Sequence, residues 1–196
     1  MKDLIKQRIS ESIAVKQVLL ENDNLLINEE KLANEIVNCI SNGGKLVLCG
    51  NGGSASDALH FSGEIVGRFV KERKAWPAVV LNADVATLTA IANDYGYEDS
   101  FARQAQAHVT SKDIFIGIST SGNSENVLRA VDVAKQIGAR TAALLGKDGG
   151  KIGKLVDFPL IVPCNTTARV QESHILLIHI LCELAESKLA EMEKSK

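Results

Sequence analysis

The chain has 196 residues, of which 45% are hydrophobic, enough for one domain with a substantial core. A net charge of −2 with scattered basic residues, and aromatics at only 4%, argue against a nucleic-acid groove or a base-stacking platform. The longest apolar run, Ile175 to Cys182, is too short to cross a bilayer and carries His179, so no membrane partner is expected.

Residues 1–41 read as a helical arm of two helices split near Glu21-Asn22-Asp23-Asn24, with Leu4, Ile5, Ile9 and Ile13 and then Leu32, Ile36 and Ile40 at helical spacing. The first six residues mix charges into that pattern and lack a signal-peptide block. Cys39, Cys49, Cys164 and Cys182 form no Cys-x-x-Cys pair, which argues against a disulfide scaffold or a cysteine zinc site and fits the cytoplasm.

From Lys45 onward the pattern alternates. Short apolar runs at Lys45–Cys49, Ala78–Leu81, Ile114–Ile118, Thr141–Leu145 and Phe158–Val162 read as five strands. Helical stretches fall between them, near 55–69, 85–93, 99–109 and 126–137, and a long helix over 167–192 closes the chain. This is the signature of an α/β fold with a doubly wound, five-stranded parallel sheet covered on both faces. In the flavodoxin-like order 2-1-3-4-5, ligands bind where strands 1 and 3 part company. The whole of 1–196 is expected to form one domain.

Two loops sit at that switch point. Gly50-Asn51-Gly52-Gly53-Ser54 follows strand 1, and Ser119-Thr120-Ser121-Gly122-Asn123-Ser124 follows strand 3. A strand that ends in small hydroxyl residues, turns on a glycine and enters a helix is a phosphate cradle, because the free N–H groups and the helix dipole favour an anion. The alternative is that the serines cap the helix and the glycine turns the chain. Gly146-Lys147-Asp148-Gly149-Gly150 lacks the order of a P-loop and reads as a turn.

His60 and Glu64 stand four apart on the helix after strand 1 and project from one face, suited to a metal or to acid–base work; a surface stripe in which Glu64 pairs with Arg68 is the alternative. Gln171 and His179 lie on the closing helix, where a lone histidine is ordinarily a satisfied core residue, and His174 and His108 read as incidental. Asn93-Asp94 either reaches the mouth of the sheet or stops a helix. The closing helix is apolar nearly all round between Ile175 and Leu184, so it should be buried on every side, by a helical interface between copies or within one chain.

Taken together these motifs resemble the sugar isomerase (SIS) domain family, and within it the phosphoheptose isomerases. The resemblance runs nearly end to end and rests on Cys49 to Ser54, His60 with Glu64, Asn93-Asp94, Gly117 to Ser124, Gly146 to Gly150, and Gln171-Glu172 with His174 and His179. It implies an aldose–ketose isomerase that turns sedoheptulose 7-phosphate into D-glycero-D-manno-heptose 7-phosphate, at the start of ADP-heptose synthesis for bacterial surface polysaccharide. It also implies a homotetramer and one Zn2+ per subunit, held by His60, Glu64, Gln171 and His179. Ser119, Thr120, Ser121 and Ser124 would hold the phosphate, and Asn51, Gly52, Gly53, Ser54, Asn93 and Asp94 would meet the sugar, with Glu64 and Gln171 beside it. Glu64 would be the catalytic base and His179 the acid. Non-catalytic relatives that bind a replication initiator, and other sugar-phosphate isomerases of the family, are the alternatives.

Geometry adds a constraint. Residues eight apart on a straight helix are about 12 Å apart along its axis and about 80° apart in direction. Ligand bonds of roughly 2 Å would leave Gln171 and His179 near full stretch if they shared one metal on a straight helix, so either a helix break between them or ligands from different subunits is expected.

Overall fold

A computed structural model describes residues 1–194. The chain opens with two helices, α1 (Lys2–Leu20) and α2 (Asp23–Ser41). The Asn22 side chain caps α2 by accepting from the Leu25 N–H at 3.1 Å, and Gly43 ends it at a φ of +77°.

Strands β1 (Leu46–Gly50), β2 (Ala78–Val80), β3 (Ile114–Ser119), β4 (Arg140–Gly146) and β5 (Phe158–Val162) form one sheet in the order β2-β1-β3-β4-β5. Every strand pair is parallel, as the alternation of short apolar runs with helices requires. Between them run α3 (Gly53–Val66), α4 (Val85–Tyr95), α5 (Ala102–His108) and α6 (Glu125–Ile137), and α7 (Thr167–Lys194) closes the chain.

Side chains alternate across the pleat, so the sheet feeds two cores. Leu46, Leu48, Ile114, Ile116 and Leu144 pack with α2, α3 and α7 on one face. Val47, Cys49, Phe115, Ala143 and Leu145 pack with α5 and α6 on the other. The helical stretch expected over 99–109 is interrupted. A single 3-10 turn, Tyr97–Asp99, precedes α5, and Ser100 is buried with its carbonyl accepting from the Gln104 amide at 2.8 Å.

The expectation that α7 is buried on every side does not hold within one chain. Leu177, Ile178, Leu181 and Cys182 are buried, but Ile175, Ile180 and Leu184 are half-buried and Leu176 is exposed. The reason is that α1 covers only the beginning of α7 and is tied there by polar contacts. The Ser12 hydroxyl donates to Glu172 at 2.7 Å, and Arg169 donates to the Arg8 carbonyl at 2.8 Å. Apart from Leu19, which is buried, and Val15, which packs against the core, the large apolar residues of α1, among them Leu4, Ile5, Ile9, Ile13 and Val18, face outward. Among the described residues no helix is long and apolar enough to cross a membrane.

Glu29 interrupts the buried stripe of α2 between Leu25 and Leu32, is 4% exposed, and has no hydrogen-bond partner among the described residues for either carboxylate oxygen. Burial pushes its pKa up from 4.5 to about 8. The unfolded chain releases this proton at the lower value, so the folded state holds more protons across the window between them. Stability is therefore intact below the unfolded pKa and falls as pH rises toward the folded one, by at most about 1.4 kcal/mol per pH unit. Glu29→Leu is expected to raise Tm, and to raise it more at pH 8 than at pH 5; an equal gain at both would show that the carboxyl is not held neutral.

Candidate active site

The carboxyl ends of β1 and β3 lie side by side, with Gly50 paired to Ile118, so the two glycine- and serine-rich loops emerge together. After β3 the serine loop folds on itself. The Ser119 hydroxyl lies 2.8 Å from that of Ser124 and 3.4 Å from that of Ser121, and the Asn123 N–H donates to Ser121 at 3.1 Å. Ser124 occupies the N-cap position of α6, yet its side chain makes no capping bond. The serines thus converge on one another beside a helix start that they do not cap, which is the arrangement of an anion site.

The segment 146–152 is a turn, but it also braces this loop. The Ile152 N–H donates to the Gly122 carbonyl at 3.0 Å and the Lys151 N–H donates to Asn123 at 3.1 Å. Gly122 has a φ of +66°, and a methyl group there would come within 2.2 Å of the Gly149 carbonyl.

Across the switch point, Asn51 is already engaged. Its amide exchanges two hydrogen bonds with that of Asn126, at 2.9 and 3.0 Å, and its oxygen accepts from the Tyr97 hydroxyl at 2.8 Å. Asn126 and Tyr97 are site-edge residues that sequence spacing did not single out, because nothing in the chain marks which side chain meets Asn51. Gly52 takes a φ of +56° at the start of α3, and Ser54 is buried just beyond it. Asn93 and Asp94 are exposed near the end of α4, where the Asn93 amide donates to Asp94 at 2.8 Å.

The titratable cluster is built by α3 and α7. His60 Nε2 lies 3.0 Å from a Glu64 oxygen and 3.2 Å from His179 Nε2. One ligand atom from each of the three falls within 4.8 Å of the others. Glu64 therefore pairs with His60, while Arg68 pairs with Glu72 at 3.6 Å, so the surface-stripe alternative is set aside. His179 is half-buried rather than enclosed in the core; its ring lies 5.2 Å from that of His60 and 5.7 Å from that of Phe69. Two nitrogens bound to one tetrahedral ion at Zn–N distances of about 2.0–2.1 Å would lie roughly 3.3 Å apart. The observed 3.2 Å and the His/Glu/His donor set both fit a borderline divalent ion. One turn before His60, Asp57 buries one unpartnered carboxylate oxygen; burial raises its pKa to about 6, with the positive character of His60 opposing.

Gln171 sits on α7 one stretch before this cluster. A methyl group at Gly53 would come within 2.1 Å of the Gln171 amide nitrogen, so Gln171 lies against the start of α3. His60 is seven residues further on, about 10 Å along the helix axis. Of the two alternatives for Gln171 and His179, the helix break is absent: α7 runs unbroken over Thr167–Lys194, a span with no glycine or proline to interrupt it.

His174, read from sequence as incidental, is fully buried, and its Nε2 donates to the Leu145 carbonyl at 3.1 Å. Burial lowers its pKa to about 4, although the bond to Leu145 opposes this, so the ring is neutral. Leu145 pairs with Ser119, so His174 fastens α7 to the strand beside the serine loop. A lone buried histidine carries no spacing signal, which is why the sequence did not reveal it.

A family model for the SIS domain matches residues 10–146. The phosphoheptose isomerase of Helicobacter pylori strain P12 is 49% identical over 96% of this chain and 97% of its own. That of Sulfurimonas denitrificans is 46% identical over the same shares. Among solved structures, a phosphoheptose isomerase from Neisseria gonorrhoeae superposes with a TM-score of 0.89 at 41% identity, covering 95% of this chain and 98% of that one. One from Francisella tularensis gives 0.89 at 38% identity, covering 94% and 97%.

The uncapped Ser124 separates cradle from cap. Ser124→Ala is expected to cost less than the ~1 kcal/mol that loss of a working N-cap costs, while weakening inorganic phosphate binding several-fold by calorimetry. A larger stability loss with unchanged phosphate binding would return the serine to a capping role.

Proposed function

Because the chain belongs to the SIS-domain family, with phosphoheptose isomerases among its relatives end to end, we propose that it converts sedoheptulose 7-phosphate to D-glycero-D-manno-heptose 7-phosphate. It is an isomerase of the aldose–ketose type. The observation that carries the mechanistic reading is the meeting of His60, Glu64 and His179 in a chain whose serine loop forms an anion cradle.

In this reading the hydroxyls of Ser119, Thr120, Ser121 and Ser124 and the free N–H groups of α6 take the phosphate. Asn51, Gly52, Gly53, Ser54, Asn93 and Asp94 contact the sugar. Glu64 removes the proton from the carbon beside the carbonyl and returns it to the neighbouring carbon, through an enediol. His179 moves the accompanying proton between the two oxygens, so the substrate gains and loses no atoms. His60, Glu64, His179 and Gln171 would hold Zn2+, which when bound supplies polarisation of the carbonyl and charge stabilisation for the enediolate. A carboxylate shared with a metal would be a weaker base, so Glu64 would act as the base with that contact relaxed, or the metal would be partly structural.

The exposed apolar faces of α1 and α7 support a homo-oligomer, which we take to be a homotetramer, and they account for the cost of leaving Leu4, Ile5, Ile9 and Leu176 in water. With α7 unbroken, this reading takes the Gln171 that joins a given cluster from a neighbouring copy. The whole of 1–196 would then act as one SIS domain with 1–41 as its oligomerising arm, in the cytoplasm, at the head of ADP-heptose synthesis for surface polysaccharide such as lipopolysaccharide. A purely binding role would leave the ionisable cluster without a purpose.

The direct test is to incubate the protein with sedoheptulose 7-phosphate, with and without a chelator, and to look for an aldoheptose phosphate. No conversion by folded protein under either condition would remove the isomerase reading. Glu64→Gln is expected to lower kcat by about 10²–10⁴-fold, while the sugar phosphate still binds; normal turnover would exclude Glu64 as the base. Gln171→Ala and His179→Ala, each inactive alone, are expected to regain activity when unfolded and refolded together, because mixed oligomers then contain some complete sites. Absence of complementation would place both residues in one subunit's site.

A further inference from the structure

The segment between α3 and β2 folds back over α7 and is held there by one buried ion pair. The side chains of Arg73 and Glu186 are only 2% and 3% exposed and meet at 3.2 Å. Glu186 accepts from the N–H groups of Phe69 at 3.1 Å and of Val70 and Lys71 at 2.8 Å each, besides Arg73. Burial opposes its ionisation, but those N–H bonds and the guanidinium outweigh it and keep the carboxyl below its ordinary pKa. Arg73 lies over the Trp76 ring at 3.7 Å and spends its remaining donors on backbone carbonyls. It reaches Glu64 at 2.7 Å, Ile65 at 2.9 Å, and Gly67 and Lys74 at 3.0 Å. Three of these carbonyls end α3 or follow it directly, where a cation suits the helix dipole.

These contacts close a ring around the titratable cluster. Glu186 follows His179 by seven residues on an unbroken helix, so the two share a face within about 20°. Arg73 grips the backbone of Glu64 itself, and Phe69, whose N–H Glu186 holds, lays its ring against His179. One ion pair thus connects the helix that carries His179 to the last turn of the helix that carries His60 and Glu64.

We infer that Arg73 and Glu186 are positioning residues for the His60–Glu64–His179 cluster: together they set the spacing and rotation of α3 against α7 that bring its ligand atoms into reach. The inference rests on the reading of that cluster as the metal and catalytic site. Residues that orient metal ligands from behind typically carry 10–100-fold in metal affinity, although they touch neither metal nor substrate. A lysine cannot replace Arg73 here, because a single ammonium cannot reach the Glu64, Ile65 and Gly67 carbonyls while it pairs with Glu186.

The test uses the full chain with Arg73→Lys, Glu186→Gln and Phe69→Leu. The readouts are zinc affinity by competition with a chromophoric chelator, Tm of the metal-free protein, and histidine-ring NMR shifts. Arg73→Lys and Glu186→Gln are expected to weaken zinc binding about 10–100-fold relative to wild type while the variants remain folded. Phe69→Leu, which leaves the ion pair intact, is expected to lose less. Zinc affinity within about twofold of wild type in folded Arg73→Lys would overturn the inference. If Glu186→Gln does not fold, Arg73→Lys decides alone by the same criterion, and a loss in Phe69→Leu as large as in Arg73→Lys also overturns it. A wild-type protein that binds no zinc sinks the metal reading instead. The inference is then judged on metal-free protein: Arg73→Lys should shift the ring resonances of His60 and His179, and unchanged resonances overturn it.

Discussion

Helices α3 and α7 lie side by side and run the same way, so residues more than a hundred positions apart in the chain meet in order along their length. Gln171 meets Gly53, His179 meets His60, and Glu186 meets the segment that leaves α3. Each of these contacts depends on the others, because neither helix can turn or slide without moving all of them. The parallel sheet makes the arrangement possible. Both helices pack on the same face, over Leu48, Ile116 and Leu144, and His174 fastens α7 to the end of β4.

The serine loop after β3 has a different origin. It is local, made by one strand, one glycine turn and one helix start, and its serines bond to one another rather than to the helix they precede. What keeps it open is again non-local. The segment after β4 reaches across to hold Gly122 and Asn123, and Asn126 of the helix is paired with Asn51 of the loop after β1. The absence of a side chain at Gly122 is what lets the serine loop and the segment after β4 approach backbone to backbone.

The outer faces of α1 and α7 remain unsatisfied in a single chain. The polar ties from Ser12 and Arg169 fix where α1 sits but bury little apolar surface, leaving Leu4, Ile5, Ile9 and Ile13 outward. Such a helix gains most of its stability from packing rather than from propensity, so an arm of this composition is a surface in search of a second one. Glu29 is the opposite case, a buried carboxyl with no hydrogen-bond partner among the described residues, and it makes the folded state sensitive to pH from inside the core.

Much of this was legible before any coordinates. Five short apolar runs, each followed by a turn and a helical stretch, admit few folds other than a parallel sheet wound on both faces, and β5 falls on its expected residues. The two loops at the switch point followed from strand order alone, and the spacing of His60 and Glu64 put them on one helical face. Periodicity sees only what lies within a few turns of the same element. It could not tell that Glu64 turns toward His60 rather than Arg68, or that His179 leaves the core to meet them. Nor could it show that His174, Asn126 and the Arg73–Glu186 pair bind one element to another. Local pattern determined which elements form and which faces they bury; only the packing of α3 against α7 decided which side chains share a site, because that depends on contacts between residues far apart in the chain.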